Sequence, residues 1–178
     1  MTWALAQTEA EAAGSRELLS ASKIYRARGT LGEGNADLTL NPDERRALAL
    51  AAKNLTLAEM GSLKGSPLST AFAWKVVGLA EKELANFPEA EKAILQAAAI
   101  HEKNRYLEDT AYDWYLIASV RSRAGNYAAA RTAIQQAIAF DRRAENANGL
   151  GMDWQALGRI EEKAGNPEAA KAAYMLPS

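Results

Sequence analysis

The feature that most constrains the fold of this chain is a pattern that returns every 40 residues. Trp74, Trp114 and Trp154 are spaced by 40 residues and then by 40 again. When the three tryptophans are aligned, three further columns of the sequence also align. A small residue lies four positions after each Trp (Gly78, Ala118, Gly158), and an Asn lies twelve positions after it (Asn86, Asn126, Asn166). An Ala lies sixteen positions after each Trp (Ala90, Ala130, Ala170). Such a period predicts a stack of similar units, because one short unit cannot bury both of its apolar faces alone.

Each repeat is predicted to be a helical hairpin. Apolar and small residues follow each Trp at positions three, four, six and ten, which places them on one face of a helix. Gly125 and Gly165 then suit a left-handed helix C-cap, and the Asn or Pro beside them suits the start of a second helix. The 178 residues include 39 Ala but only three Val and seven Ile, which favours helices over a sheet. We therefore predict an all-α fold.

The middle repeat carries the motif through which the chain resembles the tetratricopeptide repeat (TPR) family. The matching residues are Trp114, Ile117-Ala118, Gly125-Asn126-Tyr127, Ala130, Ile134 and Ala137. The resemblance implies an α-α superhelix of three repeats, at about 70–109, 110–149 and 150–178. The period of 40 exceeds the family's usual 34, so longer helices or turns are expected, as in the extended type of repeat. Glu81, Arg121 and Glu161 stand where the family usually has an aromatic residue.

Residues 1–69 lack the 40-residue register and are predicted to form a divergent helical cap. The stretch from Thr2 to Arg28 reads as one long helix or as two helices broken near Gly14. A glycine-rich loop is expected at 29–41, and Asn41-Pro42 then begins a helix that runs to about Met60. The loop lacks the Gly-Lys-Ser/Thr of a phosphate-binding loop, and a loop that contacts a partner remains the alternative to a simple connection.

Composition and motifs argue against catalysis, cofactors and metals. The chain has no Cys, and its single histidine, His101, has no His or Cys companion for a metal site, so it is expected to be an exposed or half-buried helical residue. No nucleophile–base motif is present, and we expect a non-enzymatic protein. A net charge of −1 argues against nucleic acid. The tryptophans could form a base-stacking platform, but their strict register with the packing positions favours a place in the core.

The compartment is left open by the sequence. No run of about 18 apolar residues occurs, so direct membrane insertion is not expected. A cytoplasmic location is the default, and export is the alternative if an upstream signal was removed.

The TPR resemblance also implies where a partner would bind. In that family the first helix of each hairpin lines a concave groove, and the corresponding positions here carry five cations against two acids. They are Phe72, Lys75, Leu79, Lys82, Glu83; Tyr112, Tyr115, Ser119, Ser122, Arg123; and Met152, Gln155, Arg159, Glu162, Lys163. We therefore predict a scaffold that binds another protein through an acidic peptide segment; ordinary solvated side chains are the alternative.

A second possible interface lies at the end of the stack. The last second-helix, from about Glu168, reaches only to Ser178, about a dozen residues fewer than its equivalents. We expect apolar surface around Leu157, Ile160 and Tyr174, which favours self-association or an oligomer-forming subunit. A truncated chain end is the other interpretation.

Overall fold

The computed structural model describes residues 3–32 and 39–176, and the chain there is α-helical with no β-strand. The predicted all-α helical-repeat fold is confirmed. The eight α-helices in the described ranges are α1 (Trp3–Gly29), α2 (Pro42–Glu59), α3 (Pro67–Glu83), α4 (Phe87–Lys103), α5 (Leu107–Arg123), α6 (Tyr127–Arg143), α7 (Ala147–Lys163) and α8 (Pro167–Tyr174).

The N-terminal helices settle one alternative that the sequence left open. Helix α1 runs unbroken through Gly14. Helix α2 begins with a reciprocal cap, in which Asn41 Oδ1 accepts from the Glu44 N–H (2.9 Å) and Glu44 Oε2 accepts from the Asn41 N–H (2.8 Å). Between α2 and α3 the chain forms a 3₁₀ turn (Met60–Leu63), and α3 begins at Pro67, ahead of the predicted start of the repeats at about residue 70. Residues 33–38 of the glycine-rich loop lie outside the described residues.

The chain divides into two compact units. The N-terminal unit is Met1–Asn86 and includes α1 to α3; the C-terminal unit is Phe87–Ser178 and includes α4 to α8. Buried residues of α1, α2, the 3₁₀ turn and α3 form the core of the N-terminal unit, with Ile24, Leu63 and Val76 at 1% exposure or less. The division predicted at residues 69 and 70 concerns the repeat register and stays a prediction.

The 40-residue period has a simple structural origin. Helices α3 to α7 each contain 17 residues, and each is followed by a turn of three. One helix and one turn make 20 residues, so a hairpin makes 40. In the C-terminal unit consecutive helices pack against each other, and α5 also contacts α7. The small residues that recur in each repeat are buried. They are Gly78, Ala118, Gly158, Ala90, Ala130 and Ala170.

The tryptophans are less enclosed than the sequence suggested. Trp74, Trp114 and Trp154 are half-buried, although we interpreted them as core residues. The Arg142 guanidinium lies 5.5 Å from the centre of the Trp154 ring, which places that ring at the rim of the α6–α7 contact. The best-buried positions are instead small and branched residues such as Ile117 and Ile134.

All five three-residue turns share one backbone arrangement. In each turn, the N–H of the third residue donates to the carbonyl five positions earlier, as Asn126 does to Arg121 (2.9 Å). The N–H of the second residue donates to the carbonyl three positions earlier, as Gly125 does to Ser122 (3.0 Å). The second residue is left-handed in every case; the φ values are Ala85 60°, Arg105 61°, Gly125 81°, Glu145 53° and Gly165 82°. Only two of the five are the glycines that signal such a turn.

A polar side chain occupies the last turn of each of these helices, at the residue whose carbonyl closes the turn. Three of these side chains form ion pairs with the preceding helix of the same unit: Glu81 with Lys53 (2.6 Å), Arg121 with Glu91 (2.5 Å) and Glu161 with Arg131. Glu81 and Glu161 are each 4% exposed. The Arg131 hydrogen bonds hold the pKa of Glu161 below its usual range. The departures from the family's aromatic column are therefore buried or partly buried ion-pair positions.

The other two polar side chains face the following helix. His101 is 5% exposed, and its Nδ1 lies 2.5 Å from Asp113 Oδ2, so the prediction of an exposed or half-buried histidine is wrong. The reason is that the end of α4 packs against α5. Asp141 and Asp153 occupy the same two positions 40 residues on, and both are buried.

The two aspartates make a buried pair of like groups. Burial, the negative charge of Asp141 and their mutual hydrogen bond raise the pKa of Asp153 to about 8. Burial also raises the pKa of Asp141, although Asn146 donates a hydrogen bond to it (2.8 Å). At neutral pH the pair therefore holds one proton, because two adjacent carboxylates in a buried site do not both ionise.

The left-handed turns predict opposite effects of glycine and alanine substitutions. Ala85→Gly should raise the free energy of unfolding by about 0.5–1 kcal/mol, since glycine adopts positive φ without a Cβ clash. Gly125→Ala should lower it by about 1 kcal/mol for the same reason. Ala124→Gly is the control at an ordinary helical residue and should be mildly destabilising. Urea denaturation measures all three, and a gain from Ala124→Gly equal to that from Ala85→Gly would contradict the account.

The aspartate pair predicts a dependence of stability on pH. The folded chain keeps the Asp153 proton up to about pH 8, whereas the unfolded chain loses it near 3.8, so stability should fall as pH rises between these values. One proton accounts for at most about 1.4 kcal/mol per pH unit. Asp153→Asn should remove this slope, and its stability relative to wild type should rise from pH 5 to pH 8.

The exposed Asp109→Asn is the matched control for this measurement. Its stability should follow the wild-type pH profile. Thermal unfolding across the pH range measures the stability of each chain. Parallel stability profiles for Asp153→Asn and wild type would refute the shared-proton interpretation.

Candidate functional site

The candidate site is a pocket in the C-terminal unit, between α5 and α7. Its volume is about 110 Å³. The lining residues are Tyr115, Ala118, Ser119, Ser122 and Arg123 from α5, and Ala156, Arg159, Ile160 and Lys163 from α7. Six of them, Tyr115, Ser119, Ser122, Arg123, Arg159 and Lys163, are among the positions that the family resemblance assigned to the groove.

Helical spacing brings these side chains to one face. On α5 the lining residues follow each other at intervals of three, one, three and one, which is one stripe of a helix. The α7 residues repeat this stripe, since Ser119 and Arg159 share a register position, as do Arg123 and Lys163. Ala118 and Ala156 are short and leave space between the two helices, and the buried Ile160 supplies an apolar part of the wall.

Three cations line this pocket without a counter-ion. Arg123, Arg159 and Lys163 are exposed, and none forms an ion pair with a described residue. Among the described residues the pocket lining includes no Asp or Glu. The pocket is therefore a local concentration of positive charge on a chain whose net charge is −1.

Hydroxyl groups complete the polar lining. Ser119 and Ser122 are half-buried, and neither hydroxyl has a hydrogen-bond partner among the described residues. A serine within a helix often bonds the carbonyl four residues earlier, as Thr110 does to Tyr106 (2.7 Å). The hydroxyl groups of Ser119 and Ser122 can therefore donate a hydrogen bond to a ligand.

The acid predicted beside these cations, Glu162, does not line the pocket. The Tyr174 hydroxyl of α8 interacts with Glu162. Desolvation, and after it this contact, raises the pKa of Tyr174, whereas the charge of Arg159 lowers it. The Tyr174 ring lies against Gly158, where a Cβ would collide with it. Glu162 therefore belongs to the α7–α8 contact and does not line the pocket.

The remaining groove positions of the C-terminal unit lie outside the pocket lining. Tyr112 is half-buried, and its ring stacks on that of Tyr115 with centroids 5.8 Å apart and an interplanar angle of 11°. Met152 and Gln155 are exposed on α7. These three residues extend the surface beside the pocket, and their role in binding stays a prediction.

The groove positions of the N-terminal unit are partly occupied by the chain itself. The Phe72 ring stacks on Tyr25 of α1 at 4.2 Å, and Lys75 Nζ lies 4.9 Å from the centre of the same ring. Phe72 and Leu79 pack against the core of that unit, while Lys82 and Glu83 are half-buried. Tyr25 was missed by the sequence reasoning because residues 1–69 have no repeat register that aligns it with α3.

The chemistry available to the pocket is anion binding. The described residues hold no group of three His, Cys, Asp or Glu side chains that could hold a metal ion. Among the described helices, none combines the length and the apolar character needed to cross a membrane. The pocket lining presents guanidinium, ammonium and hydroxyl donors, and these groups bind carboxylate or phosphate.

Comparison with known proteins points to a repeat family. The family model described as tetratricopeptide repeat matches residues 114–143, from Trp114 in α5 to the end of α6. The matched segment is therefore one helical hairpin with the turn at Gly125. A search of curated proteins found no significant match.

The pocket cations and the buried ion pairs should differ in their effect on stability. Replacing Arg123, Arg159 or Lys163 by Gln should change the free energy of unfolding by no more than about 0.5 kcal/mol, because no internal partner is lost. Arg131→Gln should cost about 2 kcal/mol, because it leaves the buried Glu161 carboxylate without its ion-pair partner. Urea denaturation compares the four variants, and a large loss at the pocket positions would mean that these cations are structural.

Proposed function

We propose that this chain, a tetratricopeptide repeat protein, is a scaffold that binds an acidic segment of a partner protein in the pocket between α5 and α7. Repeats of this family suggest a protein–protein interaction scaffold, and the family is in general non-enzymatic. The location of the site, the groove mode and the acidic partner are our proposal.

The observation that carries this proposal is that the three pocket cations form no ion pair with a described residue. Two other arginines of the same unit are matched by acids, Arg121 by Glu91 and Arg131 by Glu161. Arg123, Arg159 and Lys163 instead converge on one pocket with no described acid in its lining. An acidic segment would supply the missing charge, and such complementarity mainly raises the association rate and the specificity of the complex.

The aromatic residues beside the pocket support a peptide as the ligand. The stacked Tyr112 and Tyr115 rings and the exposed Met152 offer apolar contact next to the cations. Aromatic and Met side chains of this kind are typical of protein interfaces. A partner segment with acidic and apolar residues in alternation would use both surfaces.

A second candidate function is self-association through α8 and the residues after it. Tyr174, Met175 and Leu176 are 42%, 74% and 44% exposed, which favours an apolar contact there. The surface is smaller than the sequence suggested, because Ile160 is buried and the Tyr174 ring covers Gly158. We rank this candidate second for that reason.

The proposal predicts that charge reversal in the pocket abolishes binding of acidic peptides. The ligand is a fluorescent pool of short peptides rich in Asp and Glu, and the variant carries Arg123→Glu, Arg159→Glu and Lys163→Glu. We expect its apparent affinity to fall at least about tenfold. Fluorescence anisotropy at low and moderate salt measures the loss.

A matched variant separates the pocket from net charge. Lys92→Glu, Lys103→Glu and Lys171→Glu reverse three exposed charges of the same unit outside the pocket. This variant should bind nearly as wild type does. Equal losses in both variants, or no preference of wild type for the acidic pool over a Lys-rich pool, would refute the proposal. A change in sedimentation mass on removing Met175 and Leu176 would instead support self-association.

A further inference from the structure

The pocket between α5 and α7 offers more hydrogen-bond donors than one carboxylate can use. Arg123 and Arg159 each carry a planar fork of N–H groups, Lys163 carries an ammonium, and Ser119 and Ser122 add hydroxyls. A carboxylate has two oxygens in one plane and is satisfied by a single guanidinium fork. The remaining donors of the pocket would then stay unpaired.

The donors also come from two sides. Ser119, Ser122 and Arg123 stand on α5, whereas Arg159 and Lys163 stand on α7. A planar group meets one wall of such a cleft, but a tetrahedral group presents oxygens to both. A phosphate monoester has three terminal acceptor oxygens arranged in this way.

Size and charge favour the same group. A volume of about 110 Å³ has room for one compact anionic group. One carboxylate neutralises one of the three pocket charges. A phosphate monoester carries about −1.5 to −2 at pH 7 and neutralises most of them.

We infer that this pocket receives a phosphorylated side chain of the partner protein in preference to an unmodified Asp or Glu. The inference rests on the proposed function and names the ligand group of the same site. Arg123 and Arg159 bind the phosphate oxygens through their guanidinium groups, Lys163 neutralises charge, and the serine hydroxyls donate to the remaining oxygens. Phosphorylation of the partner then controls its capture by this chain.

Three peptide pools test this inference. They share the same randomised flanking positions and differ only at one central residue, which is Ser, Glu or phosphoserine. Fluorescence anisotropy at pH 7.5 should give an apparent affinity for the phosphoserine pool at least about tenfold above that for the Glu pool, with the Ser pool weakest. Lowering the pH to 5 should weaken binding of the phosphoserine pool more than binding of the Glu pool, because the phosphate monoester takes up its second proton near pH 6.

Variants locate the preference in the pocket. Ser119→Ala with Ser122→Ala should weaken binding of the phosphoserine pool more than binding of the Glu pool, and so reduce the advantage of phosphoserine over Glu. The pocket triple Arg123→Gln, Arg159→Gln and Lys163→Gln should remove the advantage altogether. Circular dichroism confirms that both variants are folded.

The possible outcomes separate the two proposals. Glu and phosphoserine pools that bind equally well, both above the Ser pool, would overturn the phosphate inference and keep the acidic-partner function. Three pools that bind alike would overturn both. A phosphoserine preference that survives the triple variant, or a single-stranded oligonucleotide that binds more tightly than the phosphoserine pool, would overturn the assignment of a phosphoprotein ligand to this pocket.

Discussion

The rest of the structure depends on the polar side chain in the last turn of each 17-residue helix, which is held by a neighbouring helix. The interior is rich in alanine, and helices that meet through small apolar side chains can shift along each other at little cost in free energy. A buried charge is different, because displacement leaves it unpaired in an apolar surrounding. We interpret the Glu81–Lys53, Arg121–Glu91 and Glu161–Arg131 pairs as the contacts that set the register of successive helices. Within the C-terminal unit, the shared backbone turns then connect each helix to the next in the same way.

The pocket between α5 and α7 differs from these ion-paired contacts. Its three cations form no ion pair with a described residue, and Glu162 interacts instead with Tyr174 of α8. Cations without a structural partner cost the fold little when exposed, so their concentration in one cleft has no stabilising role to explain it. We propose that a ligand supplies the negative charge, and that this ligand carries a compact, tetrahedral anion.

The sequence predicted the repeat better than it predicted the contacts. The 40-residue columns and the glycines at 125 and 165 predicted all-α helical hairpins, since backbone conformation and small-residue packing leave periodic signals. Ala85, Arg105 and Glu145 adopt the same left-handed turn without such a signal. His101 and the aspartate pair were missed because burial of a polar residue depends on which helix covers it. The pocket residues were named by resemblance, but the absence of acids among them required the structure.

Backbone NMR of the C-terminal half during titration with the acidic peptide pool would test the central claim most directly, with the full chain as the sample. The account predicts that the largest amide shift changes fall in residues 115–123 of α5 and 156–163 of α7, on both sides of the pocket. Changes confined to α8, or to the Tyr25–Phe72 stack of the N-terminal unit, would contradict it and place the binding surface elsewhere.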